Sequence, residues 1–282
     1  MARRWWRRLP LGPFRPLEPT VAVLRLDGVI GGRGQRSLTL RRFAGVIDRA
    51  FAVRGLKAVA LAINSPGGSP AQSALLYRRI RQLASERNVP VLAFTEDVAA
   101  SGGYWLALAA DEIYAEDTSL VGSIGVISSG FGFVDVLNKL GVERRLYTSG
   151  ENKSLLDPFL PEVPHDIERL KTLQTDLHDS FKDMVRERRG VKLKGDEAQI
   201  FSGEVFTGRR ALGLGLVDGL GDLRGITRER FGEEVRLRIF EPERRRSFLM
   251  RWFSPFGSEA GDIAGELLNR IEERLVWSRF GL

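Results

Sequence analysis

The chain of 282 residues contains no cysteine, which excludes a disulfide framework, a thiolate zinc site and a cysteine nucleophile together. Histidine is nearly absent as well. His165 and His178 are the only two, and both fall in "PEVPHDIERLKTLQTDLHDSFKDMVRERRG", whose apolar residues recur at helical spacing. Histidine acid–base chemistry and a multi-histidine metal centre are therefore not expected, and nothing in the sequence calls for a metal or another cofactor. The chain also lacks a broad excess of charge. Of the net +7, five unit charges come from Arg3, Arg4, Arg7, Arg8 and Arg15, so the body is nearly neutral. The calculated pI of 10.0 thus carries no message about nucleic acid, and no interleaved aromatic-basic motif of an RNA-binding sheet is present.

What is present is a composition of 43% hydrophobic and 28% charged residues, ordinary for a globular protein, on a chain long enough for a large core. The leader "MARRWWRRLPLGPFRPLEPT" sets Trp5 and Trp6 among arginines, a composition suited to an anionic membrane surface and equally to a disordered arginine-rich segment. Pro10, Pro13, Pro16 and Pro19 forbid a continuing helix there, and no apolar run of signal-peptide or spanning length occurs.

From residue 21 the pattern alternates. "VAVLRLDGVI", "AVALAINSPGG" and "VPVLAFTED" read as strands, whereas "LTLRRFAGVIDRAFAV", "PAQSALLYRRIRQLASER" and the short apolar "GGYWLALAAD" read as helices. This alternation predicts an α/β fold with a largely parallel sheet covered by helices. Between Arg87 and Arg144 only Lys139 is basic, so this span is expected to be the most buried. "VERRLYTSG" is expected as a further strand. Residues 164–189 form a long helix carrying Ile167, Leu170, Leu173, Leu177, Phe181 and Met184 on one stripe, and "VRLRIFEP" is a last strand. The organisation expected is a basic leader at 1–19, one catalytic-sized domain at 20–243 and an aromatic, amphipathic tail at 244–282.

Two glycine turns, "NSPGGSP" at 64–70 and "AASGGY" at 99–104, end adjacent predicted strands and emerge on the same edge of a parallel sheet, where ligands bind. Glycine there lets backbone amides face a reacting oxygen. Ser101 opens the apolar helix and reads either as a nucleophile or as a cap accepting from the Gly103 or Tyr104 amide. A nucleophilic serine needs a base, and arginine stays protonated. Of the lysines, Lys57, Lys139, Lys171, Lys182, Lys192 and Lys194 offer no distinctive setting. Lys153, in "YTSGENKSLLDPF", follows a predicted strand and precedes an apolar turn, where burial would favour a neutral amine. A solvated loop lysine is the alternative.

"NSPGGSP", "VAASGGYWLALAADEIYAEDTSLVGSIGVI", "YTSGENKSLLDPF" and "FTGRRALGLGLVDGLGD" occur in the order found in the signal peptide peptidase A family, serine proteases with a Ser-Lys dyad, and the chain resembles its short, single-repeat members over about residues 20–235. The resemblance implies a ClpP/crotonase-like spiral of ββα units. It implies that Ser101 is the nucleophile and Lys153 the general base, that Gly68 and Gly102 supply the oxyanion hole, and that Ser123 orients the lysine. Tyr104, Trp105 and Leu106, behind the serine, are expected to shield Lys153 and line a pocket for apolar or small side chains. Many family members carry an amino-terminal transmembrane anchor; with none read here, the expected place is cytoplasmic, peripheral at the inner membrane face.

The expected activity is endopeptidase cleavage of hydrophobic peptides such as signal-peptide remnants or membrane-associated segments, by a homo-oligomer with no nucleic-acid partner. One alternative is a crotonase-like acyl-CoA hydratase or isomerase with Glu96 and Asp97 as its acid and base. The other is a non-catalytic membrane-associated scaffold.

Overall fold

A computed structural model describes residues 18–32, 37–150, 152–242, 271 and 274–282. The expectations for Trp5, Trp6 and the leader arginines, and for most of the tail at 244–282, lie outside the described residues. In chain order the elements are β1 (Thr20–Asp27), α1 (Leu40–Phe51), β2 (Leu56–Ser65), α2 (Pro70–Arg87), β3 (Val91–Ala100), α3 (Gly102–Ala107), β4 (Glu112–Ala115) and β5 (Leu120–Gly122). There follow α4 (Val134–Leu140), α5 (Pro164–Arg189), α6 (Glu197–Ile200), β6 (Val205–Thr207), α7 (Gly208–Gly213), β7 (Gly219–Leu220), α8 (Leu223–Phe231) and β8 (Arg236–Phe240).

The strands form one sheet in the order β6-β5-β3-β2-β1-β8, with β4 also on β3 and β7 on β4. Every pairing is parallel except β5 with β6. The expected parallel sheet covered by helices is thus present. Its two faces are written into the strands by alternation. Val59, Leu61 and Ile63 of β2 join Leu24, Leu26 and Ala93 on one face, under α1, α2 and α3. Ala58, Ala60 and Ala62 turn the other way, with Val21, Val23, Leu92 and Phe94, toward α8 and its Leu223, Ile226 and Phe231.

Helix limits follow local chemistry. Ser69 caps α2 by accepting from the Gln72 amide, Pro70 occupies its first turn, and Asn88 closes it in the left-handed conformation. Helix α5 begins with Pro164 and buries only Phe181, Val185 and Arg189, all in its last third. Leu173 and Leu177 of the expected stripe are exposed, so the first half of this helix reaches beyond the core.

Two expectations need correction. Residues 142–150 form no strand, and the segment is exposed, its chain lying away from the sheet rather than along an edge of it. The span from 88 to 143 is also not uniformly buried. Its interior part stops at Ile124, beyond which Ile127, Phe131 and Leu140 are exposed at 65%, 79% and 70%.

A buried ion pair ties α5 to the turn before β7. Arg189, 3% exposed, donates to Asp218 Oδ2 at 2.7 Å and to the Gly215 carbonyl at 2.6 and 2.8 Å. Burial alone would raise the Asp218 carboxyl, but hydrogen bonds from Arg189, Lys192 and the Ile113 amide outweigh it and hold the group below the usual carboxylate range. Asp218→Ala, which strands Arg189, is expected to cost about 3–5 kcal/mol in denaturant melts. Because the native value is lowered, the wild-type contribution is complete above the unfolded value of about 3.9 and is lost as pH falls through the native one. Asp218→Asn should therefore lack part of the acid limb of the wild-type stability curve; superimposable limbs would show that this pair carries no pH-linked stability.

Candidate active site

Parallel pairing of β2 with β3 sets Ser65 beside Ala99, so both glycine turns leave the sheet at its carboxyl end. After β2 the chain turns sharply. Ser65 Oγ donates to the Gly28 carbonyl at 2.7 Å and accepts from the Gly67 amide at 3.2 Å, fixing the turn from within. Gly68 then lies against Ile30, whose amide donates to Gly67 O and whose carbonyl accepts from the Ser69 amide, each at 2.8 Å. Gly68 has φ +139°, and a Cβ there would stand 2.1 Å from the Ile30 carbonyl oxygen, so only glycine fits.

After β3 the backbone turns at Ser101, which adopts φ 51° and ψ −121° and starts α3. Its amide donates to the Gly122 carbonyl at 2.8 Å. The hydroxyl makes no cap hydrogen bond, so the capping alternative is not what this serine does. A non-glycine residue in this region carries about 1–3 kcal/mol of strain, which the surrounding packing must hold in place.

The two turns touch. A Cβ on Gly102 would lie 2.5 Å from Ser73 Oγ and 3.4 Å from the Gly68 nitrogen, and one on Gly67 would lie 2.8 Å from Ser101 Cβ. Neither the Gly68 nor the Gly102 amide donates to a backbone acceptor among the described residues. Two uncommitted N–H groups therefore stand beside an uncapped hydroxyl, an arrangement suited to holding an oxyanion formed at that hydroxyl.

Ser123 lies next door. Ala100 pairs with Gly122, so Ser101 and Ser123 continue neighbouring strands, and Ser123 also has φ 51°. Its amide donates to the Glu204 carbonyl at 2.8 Å. One residue further on, the Ile124 carbonyl accepts from His178 Nε2 at 3.1 Å. A carbonyl only accepts, so Nε2 holds the proton and is committed to this bond. Sequence reasoning missed this anchor of α5; a contact 54 residues apart leaves no local signal.

Lys153 is not brought to the serine. It lies exposed in a turn, its amide donating to Gly150 O at 3.3 Å, and among the described residues no hydrogen bond joins its amine to Ser101 or Ser123. The burial expected for it is absent from the single chain. The surrounding arm holds itself together by a Phe133–Phe159 stack at 5.5 Å and an Arg144–Asp157 ion pair at 2.9 Å, while Tyr147 is 91% exposed.

The pocket expected from Tyr104, Trp105 and Leu106 also needs correction. All three are core side chains. Tyr104 donates to the Leu216 carbonyl at 2.7 Å, with burial pushing its phenol well above the ordinary value, and Trp105 stacks on Phe181 at 4.7 Å. A helix apolar all round is surrounded on every side, and α3 lies between β2, β3, α2 and α5. Glu96 is paired with Arg25 at 3.2 Å, and Asp97 accepts from Asn64 at 2.8 Å. Both are thus committed to partners on other strands of the sheet, and among the described residues neither hydrogen-bonds to Ser101.

Comparison with known proteins points in one direction. Residues 84–233 match the model of peptidase family S49. A Na(+)/H(+) antiporter NhaA of Brucella abortus contains a region 49% identical to this chain over 288 residues, 98% of this chain and 39% of that protein. A putative protease of Synechocystis sp. is 30% identical over 210 residues, 74% of this chain and 73% of its own length. A putative signal peptide peptidase SppA of Enterococcus faecium is 28% identical over 207 residues, 71% of this chain and 60% of that one. The chain thus spans about two fifths of the length of the Brucella relative.

The backbone at Ser101 supplies a direct test of stored strain. Ser101→Gly should raise stability by about 1 kcal/mol, the relief of strain being partly offset by glycine's backbone entropy. Ser101→Ala, which keeps the Cβ, should melt like the wild type. Equal stability of the glycine and alanine variants in denaturant melts would show that the turn is unstrained.

Proposed function

Since the chain belongs to peptidase family S49, the signal peptide peptidase A family, we propose that it is a serine endopeptidase in which Ser101 is the nucleophile and Lys153 the general base. The observation that carries this reading is the uncapped Ser101 hydroxyl, held at φ 51° beside the free amides of Gly68 and Gly102. A substrate carbonyl placed over that hydroxyl has its oxygen directed toward both amides. The lysine amine takes the Ser101 proton as Oγ bonds to the carbonyl carbon, and charge collects on the carbonyl oxygen. The resulting ammonium returns the proton to the departing amine, leaving an acyl-enzyme that water opens with the same lysine as base. Ser123 is proposed to accept from the lysine and fix its direction.

A lysine works as base only when neutral, and removal from water favours that form. The exposed Lys153 and the apolar arm around it therefore support one further part of the reading: the active form is a homo-oligomer in which a second copy covers the arm and removes Lys153 from water. The same covered, apolar surroundings favour hydrophobic peptides, such as signal-peptide remnants or membrane-associated segments. Antiport is not carried over from the Brucella name, because the shared region also matches the peptidase model. That name does place a related segment within a membrane protein. It supports a location at the inner membrane face, reached through the Trp5 and Trp6 leader. Among the described residues no helix is long and apolar enough to cross a membrane.

Reaction with a fluorophosphonate should modify Ser101, located by mass spectrometry, and Ser101→Ala and Lys153→Arg should each lower peptide turnover by at least about a thousandfold. His165→Gln and His178→Gln should retain most activity. An active Lys153→Arg enzyme would remove lysine from the mechanism. Light scattering should find several subunits, and Phe131→Glu with Leu140→Glu should yield folded monomers without turnover. Fully active monomers would separate catalysis from assembly.

A further inference from the structure

We infer that a basic pocket at the outer edge of the sheet, opposite the serine end, binds the phosphate group of an anionic phospholipid. The pocket, of about 660 Å³, is lined by Arg49 from the last turn of α1, Arg54 from the turn into β2, and Arg236 and Arg238 from β8, together with Thr20 and Phe240. No carboxylate lines it. Lone arginines such as Arg41, Arg78 and Arg169 also occur elsewhere on the surface, but here four arginines line one pocket. In the pocket only Arg236 is paired, with Glu18. Among the described residues Arg49, Arg54 and Arg238 have no ion-pair partner. The Arg238 guanidinium lies 5.1 Å over the Phe240 ring, which orients it and leaves its N–H edge available.

Unpaired guanidinium groups lining one pocket suit a tetrahedral oxyanion, since arginine donates two parallel hydrogen bonds from a fixed plane. The negative end of α1 opposes an anion there, but with about half a unit charge against the three unpaired arginines. A lipid rather than a soluble ion is indicated by the segments that flank the pocket in sequence. The arginine-tryptophan leader joins the domain at Thr20, and "RRRSFLMRWF" at 244–253 follows Phe240 by three residues. Arginine- and tryptophan-bearing sequence thus precedes β1 and follows β8, a composition suited to an anionic interface. The inference does not rest on the Ser-Lys reading. The pocket is at the start of β1, about 30 Å along the sheet from Ser101.

The full chain is to be co-sedimented with phosphatidylcholine vesicles containing or lacking phosphatidylglycerol. The triple variant Arg49→Gln, Arg54→Gln, Arg238→Gln should bind the anionic vesicles at least about tenfold more weakly. Its melting temperature and its fluorophosphonate labelling should stay as in the wild type. Lysine at the same three positions should restore only part of the binding. Wild-type binding by the glutamine variant would overturn the proposal, and full restoration by lysine would reduce the pocket to diffuse charge. If inorganic phosphate at matched ionic strength raised the wild-type melting temperature and displaced the vesicles, the ligand would be a soluble phosphate and the lipid assignment would fall.

Discussion

At the carboxyl ends of β2 and β3 two glycine turns meet with no side chain between them, and the groups around Ser101 take their places from that contact. It depends on parallel pairing, which delivers both strand ends to one edge, and on the buried Ser65 hydroxyl, which holds the first turn from inside. With the turns fixed, the Gly68 and Gly102 amides lose their usual acceptors, and Ser101 is held in a backbone conformation that most residues avoid. The large apolar core on the helical face of the sheet is what resists relaxation. A strained serine at a loose edge would relax; this one follows β3, whose Val98, Ala99 and Ala100 are fully buried.

Much of this was legible in the sequence because it is local or periodic. Helices α2 and α5 begin at Pro70 and Pro164 as the sequence indicates, since a proline in the first turn suits a helix start and little else in such a pattern. The β2 alternation separates large from small side chains and so specifies both faces. The two glycine turns could be placed at one edge from strand order alone. The remainder was hidden for definite reasons. The scarcity of basic residues between 88 and 143 describes a core up to Ile124 and an exposed apolar arm beyond it, because interiors and interfaces share that depletion. "VERRLYTSG" has strand-forming residues, but they lie in the exposed arm and pair with no strand among the described residues. The run after Ser101 was read as a pocket lining, though a helix apolar on all sides signals burial.

The arm gives the proposed mechanism its conditional character. Within one chain the serine and the two uncommitted amides are side by side, and Lys153 is not brought to them. Preorganised amides cost nothing to keep ready, because they are harmless without a nucleophile that can be deprotonated. A lysine removed from water would be costly to keep ready, since desolvating an amine without partners is unfavourable. Dividing the two between a rigid core and an arm that needs covering places the unfavourable step on assembly. Phe131, Leu140 and Tyr147, exposed in the single chain, are the surface that the proposed assembly would cover.

The polarity of the sheet then relates this chemistry to the inferred lipid edge. Parallel strands give a domain two unlike ends: carboxyl ends, where turns and helix starts present amides, and amino ends, where helices finish and cations are favoured. Ser101 and its neighbours occupy the first. Arg49, in the last turn of α1, and Arg54 beyond it occupy the second, extended by Arg236 and Arg238 on an edge strand with no further partner. A domain resting on anionic headgroups by its amino-end edge holds Ser101 about 30 Å away, at the far end of the strands. A peptide reaching that serine has to leave the bilayer first, so such an orientation selects extracted or released segments over chains still embedded in lipid.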